Sequence, residues 1–107
     1  MTVVNIWINC PNAEVAAQIA ETLVEERLVA CTNTFPKIRS AYHWLGKVER
    51  ESEIPLLVKT RNDLFDKVCA RVRKLHPYEV PGIIGIEATS VNPEYEQWVF
   101  EETKAGG

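Results

Sequence analysis

Residues 28–60 read LVACTNTFPKIRSAYHWLGKVERESEIPLLVKT, and the alternation of side chains in this stretch predicts one unusually long β-hairpin. Its first arm covers residues 28–44 and is interrupted at Pro36. The strong turn signal is the LGK tripeptide at 45–47. Residues 48–60 then return as the second arm, with a run of apolar residues near its end.

The two arms exceed the usual strand length of about 5–6 residues. A hairpin of that length overhangs a small domain, and its edges need a partner because open strand edges invite uncontrolled pairing. Pro55 in the second arm has no N–H to donate, so it indicates a bulge or an edge position. The hairpin therefore predicts association with other chains.

The chain before the hairpin predicts one strand and one helix. Val4, Ile6 and Ile8 alternate with their neighbours as in a half-buried strand. Asn12 is placed to cap a helix that covers about residues 13–27, where apolar side chains recur at helical spacing.

The chain after the hairpin repeats this pattern. An apolar stripe predicts a second helix over about residues 62–76, with Asn62 as its cap and Pro77 as the reason for its end. Residues 83–86 are typical of a fourth strand, and Pro93 stands at the first position of a short terminal helix.

Two strand–helix–strand units joined by a hairpin give an α+β fold, the split βαβ plait. Right-handed crossovers place both main helices on one face of an antiparallel sheet. The length allows a single domain over residues 1–107, of which 105–107 form a loose end.

Composition excludes several function classes. The net charge is -3 and basic residues are scattered among acidic ones, so neither nucleic acid nor an anionic membrane is an expected partner. No apolar run approaches transmembrane length, and no signal peptide opens the chain. Three cysteines do not make a disulfide framework. The expected location is the cytoplasm.

Four segments stand in order along the chain: CPN at 10–12, LVACTN at 28–33, YHWLGKVE at 42–49 with Glu53 and VKT at 58–60, and HPYEVP at 76–81. A later NxxYxxW pattern starts at Asn92. Together they span about residues 3 to 100 and resemble the CutA family of divalent-cation tolerance proteins.

This resemblance implies a ferredoxin-like fold and a tight homotrimer in which long hairpins pair across subunits. It also implies a link to divalent metal tolerance, with copper bound by some members. Three positions depart from the family pattern. Gly82 stands where a glutamate is usual, and Leu75 and Ile8 stand where copper-binding members can carry His and Cys. We therefore predict no preformed, high-affinity copper site within one chain, and no tightly bound cofactor.

Two residues remain candidates for weak binding of Cu(II) or another divalent metal. Cys10 precedes a helix start, which favours the metal-binding thiolate, but a buried packing role is the competing interpretation. His76 closes a helix, where it is either a metal ligand or a cap for the last free carbonyls.

The remaining polar and aromatic members of the motifs are candidates for a pocket or an inter-subunit contact. They are Cys31, Tyr42, Trp44, Glu49, Lys59, Tyr78 and Glu79. For the aromatic residues on the hairpin, subunit packing is the first interpretation and pocket lining the second. Glu49 and Lys59 form an ion pair or hold a ligand, and Cys31 is also typical of a buried structural cysteine.

No sequence motif of a known enzyme class is present, so the chain is predicted not to be an enzyme. Three hypotheses remain: a homotrimeric protein that responds to metal ions such as copper, a small-ligand regulatory trimer analogous to the signalling protein PII, and an enzyme with a pocket between subunits. The homotrimer is expected to form through the hairpin, at about residues 35–60.

Overall fold

The computed structural model describes residues 1–103, and the loose end predicted at 105–107 lies outside them. Five strands and three α-helices follow one another within residues 1–103. They are β1 (Val3–Cys10), α1 (Ala13–Glu25), β2 (Cys31–Thr34), β3 (Ile38–Trp44), β4 (Lys47–Arg61), α2 (Phe65–Leu75, after a 3-10 turn at Asn62–Leu64), β5 (Ile83–Glu87) and α3 (Pro93–Glu102).

The strands form one antiparallel arrangement in the order β2-β4-β1-β5, with β3 paired to the first half of β4. The helices α1 and α2 supply the apolar stripes that close one face of this sheet, and alternate residues of β1 and β4 supply the other side of the core. The predicted α+β plait with a long hairpin and a terminal helix is confirmed.

A bulge breaks the hairpin where β2 passes into β3. Thr34 lies opposite Leu56 and Ile38 opposite Glu53, so three residues on one arm face two on the other. The Phe35 N–H donates to the Pro55 carbonyl at 2.9 Å. The bulge predicted from Pro55 is confirmed, whereas an edge position is wrong because β4 has neighbours on both sides there.

Helix α1 ends two residues earlier than predicted because Arg27 takes the left-handed conformation, with φ 57°. The Leu28 N–H then donates to the Leu23 carbonyl and the Arg27 N–H to the Val24 carbonyl, each at 3.0 Å. These two bonds form a Schellman motif. Glycine usually fills this position, so its absence hid the helix end from sequence analysis.

The predicted caps differ in outcome. The Asn12 side chain accepts the Val15 N–H at 2.9 Å, which confirms it as the cap of α1. Asn62 is wrong as the cap of α2, because the regular helix begins only at Phe65 and the Asn62 amide oxygen accepts the Thr2 N–H instead. None of the described helices is long and apolar enough to cross a membrane.

Strand β5 packs closely against α2 at Gly85, and a substitution there tests this contact. A Cβ at this position would lie 2.8 Å from the Phe65 ring and 3.3 Å from Val4. We expect Gly85→Ala to lower the free energy of unfolding by about 1–3 kcal/mol through overpacking. The control Gly82→Ala has nothing within 4 Å of its new Cβ. Urea unfolding at one fixed protein concentration measures both, and equal effects would contradict the packing.

Candidate functional site

A cleft of about 700 Å³ opens between the hairpin and the segment that follows α2. Its size lies within the range of roughly 300–1,000 Å³ that small-molecule sites occupy. Three aromatic side chains and four carboxylates dominate its lining: Tyr42, Trp44, Tyr78, Glu49, Glu51, Glu53 and Glu79. Among residues 1–103 no lysine or arginine lines it, so the described lining is strongly negative.

The hairpin supplies most of this lining because side chains alternate along its strands. Tyr42 lies directly opposite Glu49, and Ser40 opposite Glu51. Alternate residues of β4 share one face, so Glu49, Glu51 and Glu53 point to the same side. Burial, followed by the neighbouring Glu51 carboxylate, raises the pKa of Tyr42. The Tyr42 phenol therefore stays neutral beside these carboxylates.

Glu53 lies at the base of the cleft with 5% of its surface exposed. The Tyr78 hydroxyl donates to its Oε2 at 3.1 Å. Burial, followed by the Glu53 charge, raises the pKa of Tyr78, so this phenol keeps the proton that it donates. Within residues 1–103, no basic nitrogen lies within 4.0 Å of the Glu53 carboxylate. Glu53 is therefore a buried carboxylate without a counter-charge from the described chain.

The His76 ring ties the end of α2 to the end of β1, and its residue is 6% exposed. Its Nδ1 accepts the Tyr78 N–H at 3.2 Å, and its Nε2 lies 2.7 Å from the Asn9 carbonyl oxygen. An amide N–H only donates, so Nδ1 carries no proton and Nε2–H donates to Asn9. A metal ion would reach either nitrogen only by displacing one of these bonds. His76 is the cap of α2, as one of the two interpretations predicted, because its backbone N–H donates to the Val72 carbonyl at 2.8 Å. Its ring forms hydrogen bonds with Asn9 and Tyr78 and not with the last helix carbonyls.

Cys10 is completely buried in the core at the end of β1. Burial, followed by the charge of Glu53, raises the pKa of its thiol to about 11. The low pKa expected from the neighbouring helix start is therefore wrong, because loss of solvation outweighs the helix dipole. At neutral pH the thiol is protonated, and it must give up this proton, against a raised pKa, before it can bind a metal ion.

Two of the predicted pocket residues lie outside the cleft. Cys31 and Lys59 pair across β2 and β4 on the sheet face that points away from α1 and α2. The Lys59 ammonium donates to the Asn33 side chain, and the Cys31 sulfur lies 3.7 Å from the Tyr95 hydroxyl. An ion pair between Glu49 and Lys59 of the same chain is wrong, because ten residues of extended strand separate them by about 33 Å.

Five of the predicted residues do line the cleft together: Tyr42, Trp44, Glu49, Tyr78 and Glu79. Glu51 and Glu53 were missed as site residues, although Glu53 belongs to one of the quoted motifs. A glutamate at every second position from 49 to 53 was the available signal. It was overlooked because charged residues on a hairpin are usually a solvated face.

A family model described as "CutA1 divalent ion tolerance protein" matches residues 4–102. The chain belongs to this family. The resemblance carried by the four sequence motifs is thereby confirmed.

Individual relatives agree. The chain is 46% identical over 98 residues to "Divalent-cation tolerance protein CutA" of Thermus thermophilus, covering 92% of this chain and 95% of that protein. It is 41% identical over 99 residues to "Protein CutA" of Mus musculus, covering 92% of this chain but 56% of the mouse protein. The chain thus spans little more than half the length of the mouse relative.

Solved structures of the family share the fold over almost the whole chain. The divalent cation tolerance protein from Thermus thermophilus superposes with a TM-score of 0.93 at 44% identity, covering 95% of this chain and 99% of that one. The divalent ion tolerance protein CutA1 from Ehrlichia chaffeensis gives a TM-score of 0.90 at 33% identity, with 96% of each chain covered.

Proposed function

We propose that this chain takes part in tolerance of divalent cations such as copper as a homotrimer that binds its ligand in the cleft and catalyses no reaction. Membership of the family supports the tolerance role, and the names of its relatives carry the same description. Unpartnered apolar side chains on the outer face of the sheet are the observation that supports assembly.

The outer face of the sheet lies opposite α1 and α2. Ile84 and Ile86 of β5 face outward there and are 60% and 56% exposed. They lie beside Trp7 and Asn5 of β1 in the antiparallel register. Contiguous apolar patches on a folded chain mark interaction surfaces, so this face favours a partner.

The Asn5 side chain supports the same conclusion independently. Its Oδ1 is buried on this face, and among residues 1–103 it has no hydrogen-bond partner. Buried polar atoms in folded proteins nearly always have one. A second copy of the chain that covers the face supplies both the apolar contact for Ile84 and a donor for Asn5.

The hairpin adds a second surface that needs a partner. Within the described residues β3 pairs only with β4, so its other edge is open. Trp44 and Leu45 near the tip are exposed, as is Val48 on the returning arm. A closed cyclic assembly removes such edges by using the same pair of patches on every subunit. These features fit the homotrimer better than a monomer.

The state of the two candidate ligands, His76 and Cys10, limits how the protein can bind copper. His76 uses both ring nitrogens in hydrogen bonds, and Cys10 is a buried, protonated thiol. No three His, Cys, Asp or Glu side chains in residues 1–103 lie close enough to hold a metal ion. A tight thiolate–imidazole copper site does not fit these residues. We therefore infer that the metal response uses weak oxygen ligands, ligands from two copies, or no direct contact.

Assembly is tested by charging the outer face. We expect Ile84→Lys to dissociate the homotrimer, because a lysine ammonium cannot be buried unpaired in an apolar interface. Val24→Lys is the matched control, since Val24 is a similarly exposed apolar residue on α1, on the opposite side of the sheet. Light scattering at low micromolar concentration gives the mass. A trimeric Ile84→Lys variant would place the interface elsewhere, and a wild-type monomer would end the proposal.

Copper binding is tested by calorimetry with Cu(II) on the wild-type protein and on Cys10→Ala. We expect a dissociation constant weaker than about 1 µM and no change in Cys10→Ala, because the thiol is inaccessible and protonated. Submicromolar binding that Cys10→Ala abolishes would contradict this.

The tolerance role is tested by growth. In a host from which its own CutA-family protein has been deleted, the wild-type chain should restore growth in copper salts, and Ile84→Lys should not.

A further inference from the structure

We propose that the cleft binds an aliphatic diamine or polyamine, through Glu53 at its base and the glutamates along β4. This inference rests on the binding role proposed above, and it names the class of ligand. Glu53, Glu51 and Glu49 supply the negative charges, and Tyr42, Trp44 and Tyr78 supply the apolar surface.

Glu53 is the first reason for a cation. It is 5% exposed, it accepts one hydrogen bond from Tyr78 on Oε2, and within residues 1–103 it has no ion-pair partner. Buried carboxylates are normally paired with a positive group. Among residues 1–103 its Oε1 accepts no hydrogen bond, and the residue lines the cleft. A ligand N–H group there would supply both the charge and the missing hydrogen bonds.

The separation of the carboxylates is the second reason, because it favours an extended cation over a metal ion. A metal ion needs several ligands that converge on one point, at about 2.0–2.6 Å. No three acidic, His or Cys side chains of residues 1–103 converge in this way. Within the described part of the chain, the cleft nevertheless holds four glutamates and no basic side chain. Several separated positive charges on one molecule match that distribution.

The spacing along β4 sets the length of the ligand. Glu49, Glu51 and Glu53 occupy every second position of one strand and share a face. At about 3.4 Å per residue, neighbouring members are about 6.8 Å apart along the strand. Two ammonium groups joined by roughly four methylene groups span a similar distance, since each carbon–carbon bond measures about 1.5 Å.

The aromatic side chains provide apolar surface for the methylene chain of such a molecule. Tyr42, Trp44 and Tyr78 line the same cleft, and Trp44 is partly exposed there. Aromatic faces attract ammonium groups and pack well against methylene chains. Both Tyr42 and Tyr78 stay neutral, so they add no charge of their own. The cleft thus offers separated anions with apolar surface between them.

The test uses 1,4-diaminobutane as the probe in calorimetry at low salt, with light scattering on the same samples. We expect saturable binding, with 1-aminobutane at least tenfold weaker because it carries one charge, and tetramethylammonium undetectable because it has no N–H. Glu53→Gln should weaken binding at least tenfold. Glu21→Gln is the matched control, since it removes the same charge from an exposed position on α1.

A second variant keeps the test decisive if Glu53→Gln does not fold. Glu51→Gln changes an exposed residue of the hairpin and should weaken the diamine several-fold while leaving the fold intact. The proposal is overturned if the wild type does not bind, if 1-aminobutane binds equally well, or if both Gln variants bind as the wild type does.

Dissociation of the assembly by Glu53→Gln would also overturn it, because the counter-charge of Glu53 would then be a basic residue of another copy. Arg39 and Arg50, on the other face of the hairpin, are the candidates for that contact. If the protein is a trimer that does not bind the diamine, only the polyamine proposal is wrong. If it is a folded monomer that binds the diamine, only the proposed assembly is wrong.

Discussion

The continuous strand β4 is the constraint on which the rest of the structure depends. Its last residues pair with both β1 and β2 inside the sheet, and its first residues pair with β3 in the hairpin. One strand of 15 residues therefore belongs half to the core and half to a projection. Residues of β4 before Glu53 are mostly exposed, and those from Glu53 onward are mostly buried. This change lies opposite the bulge between β2 and β3. Whatever holds the core half in register also fixes the direction of the projecting half.

The cleft and the need for partners both follow from this arrangement. Because β4 leaves the sheet without a break, its glutamates face the segment after α2, and Tyr78 reaches Glu53 from that segment. The hydrogen bonds of His76 to Asn9 and Tyr78 hold that segment against the end of β1. The same projection leaves β3 with one open edge within residues 1–103. The cleft and the open edge of β3 therefore lie on the same projection, so a change in the direction of the hairpin would alter both.

Sequence patterns predicted the elements well and the site only in part. The alternation in residues 28–60 and the apolar stripes led to the correct order and topology, because burial of one face dictates those periods. The Schellman end of α1 escaped because Arg27 stands where glycine is usual. Cys10 was misjudged because its pKa depends on burial, which a single sequence does not reveal. Glu53 escaped for the same reason, since its burial results from the meeting of β4 with a distant segment.

Hydrogen–deuterium exchange of β3 tests most directly whether the hairpin is completed by other copies of the chain. Alternate amides of β3 point away from β4, and within the described residues they have no strand to bond. At concentrations where the protein is assembled, we expect these amides to exchange far more slowly than an unpaired strand edge, and we expect dilution to monomer to remove the protection. Exchange at the rate of an unprotected peptide in the assembled protein would contradict it.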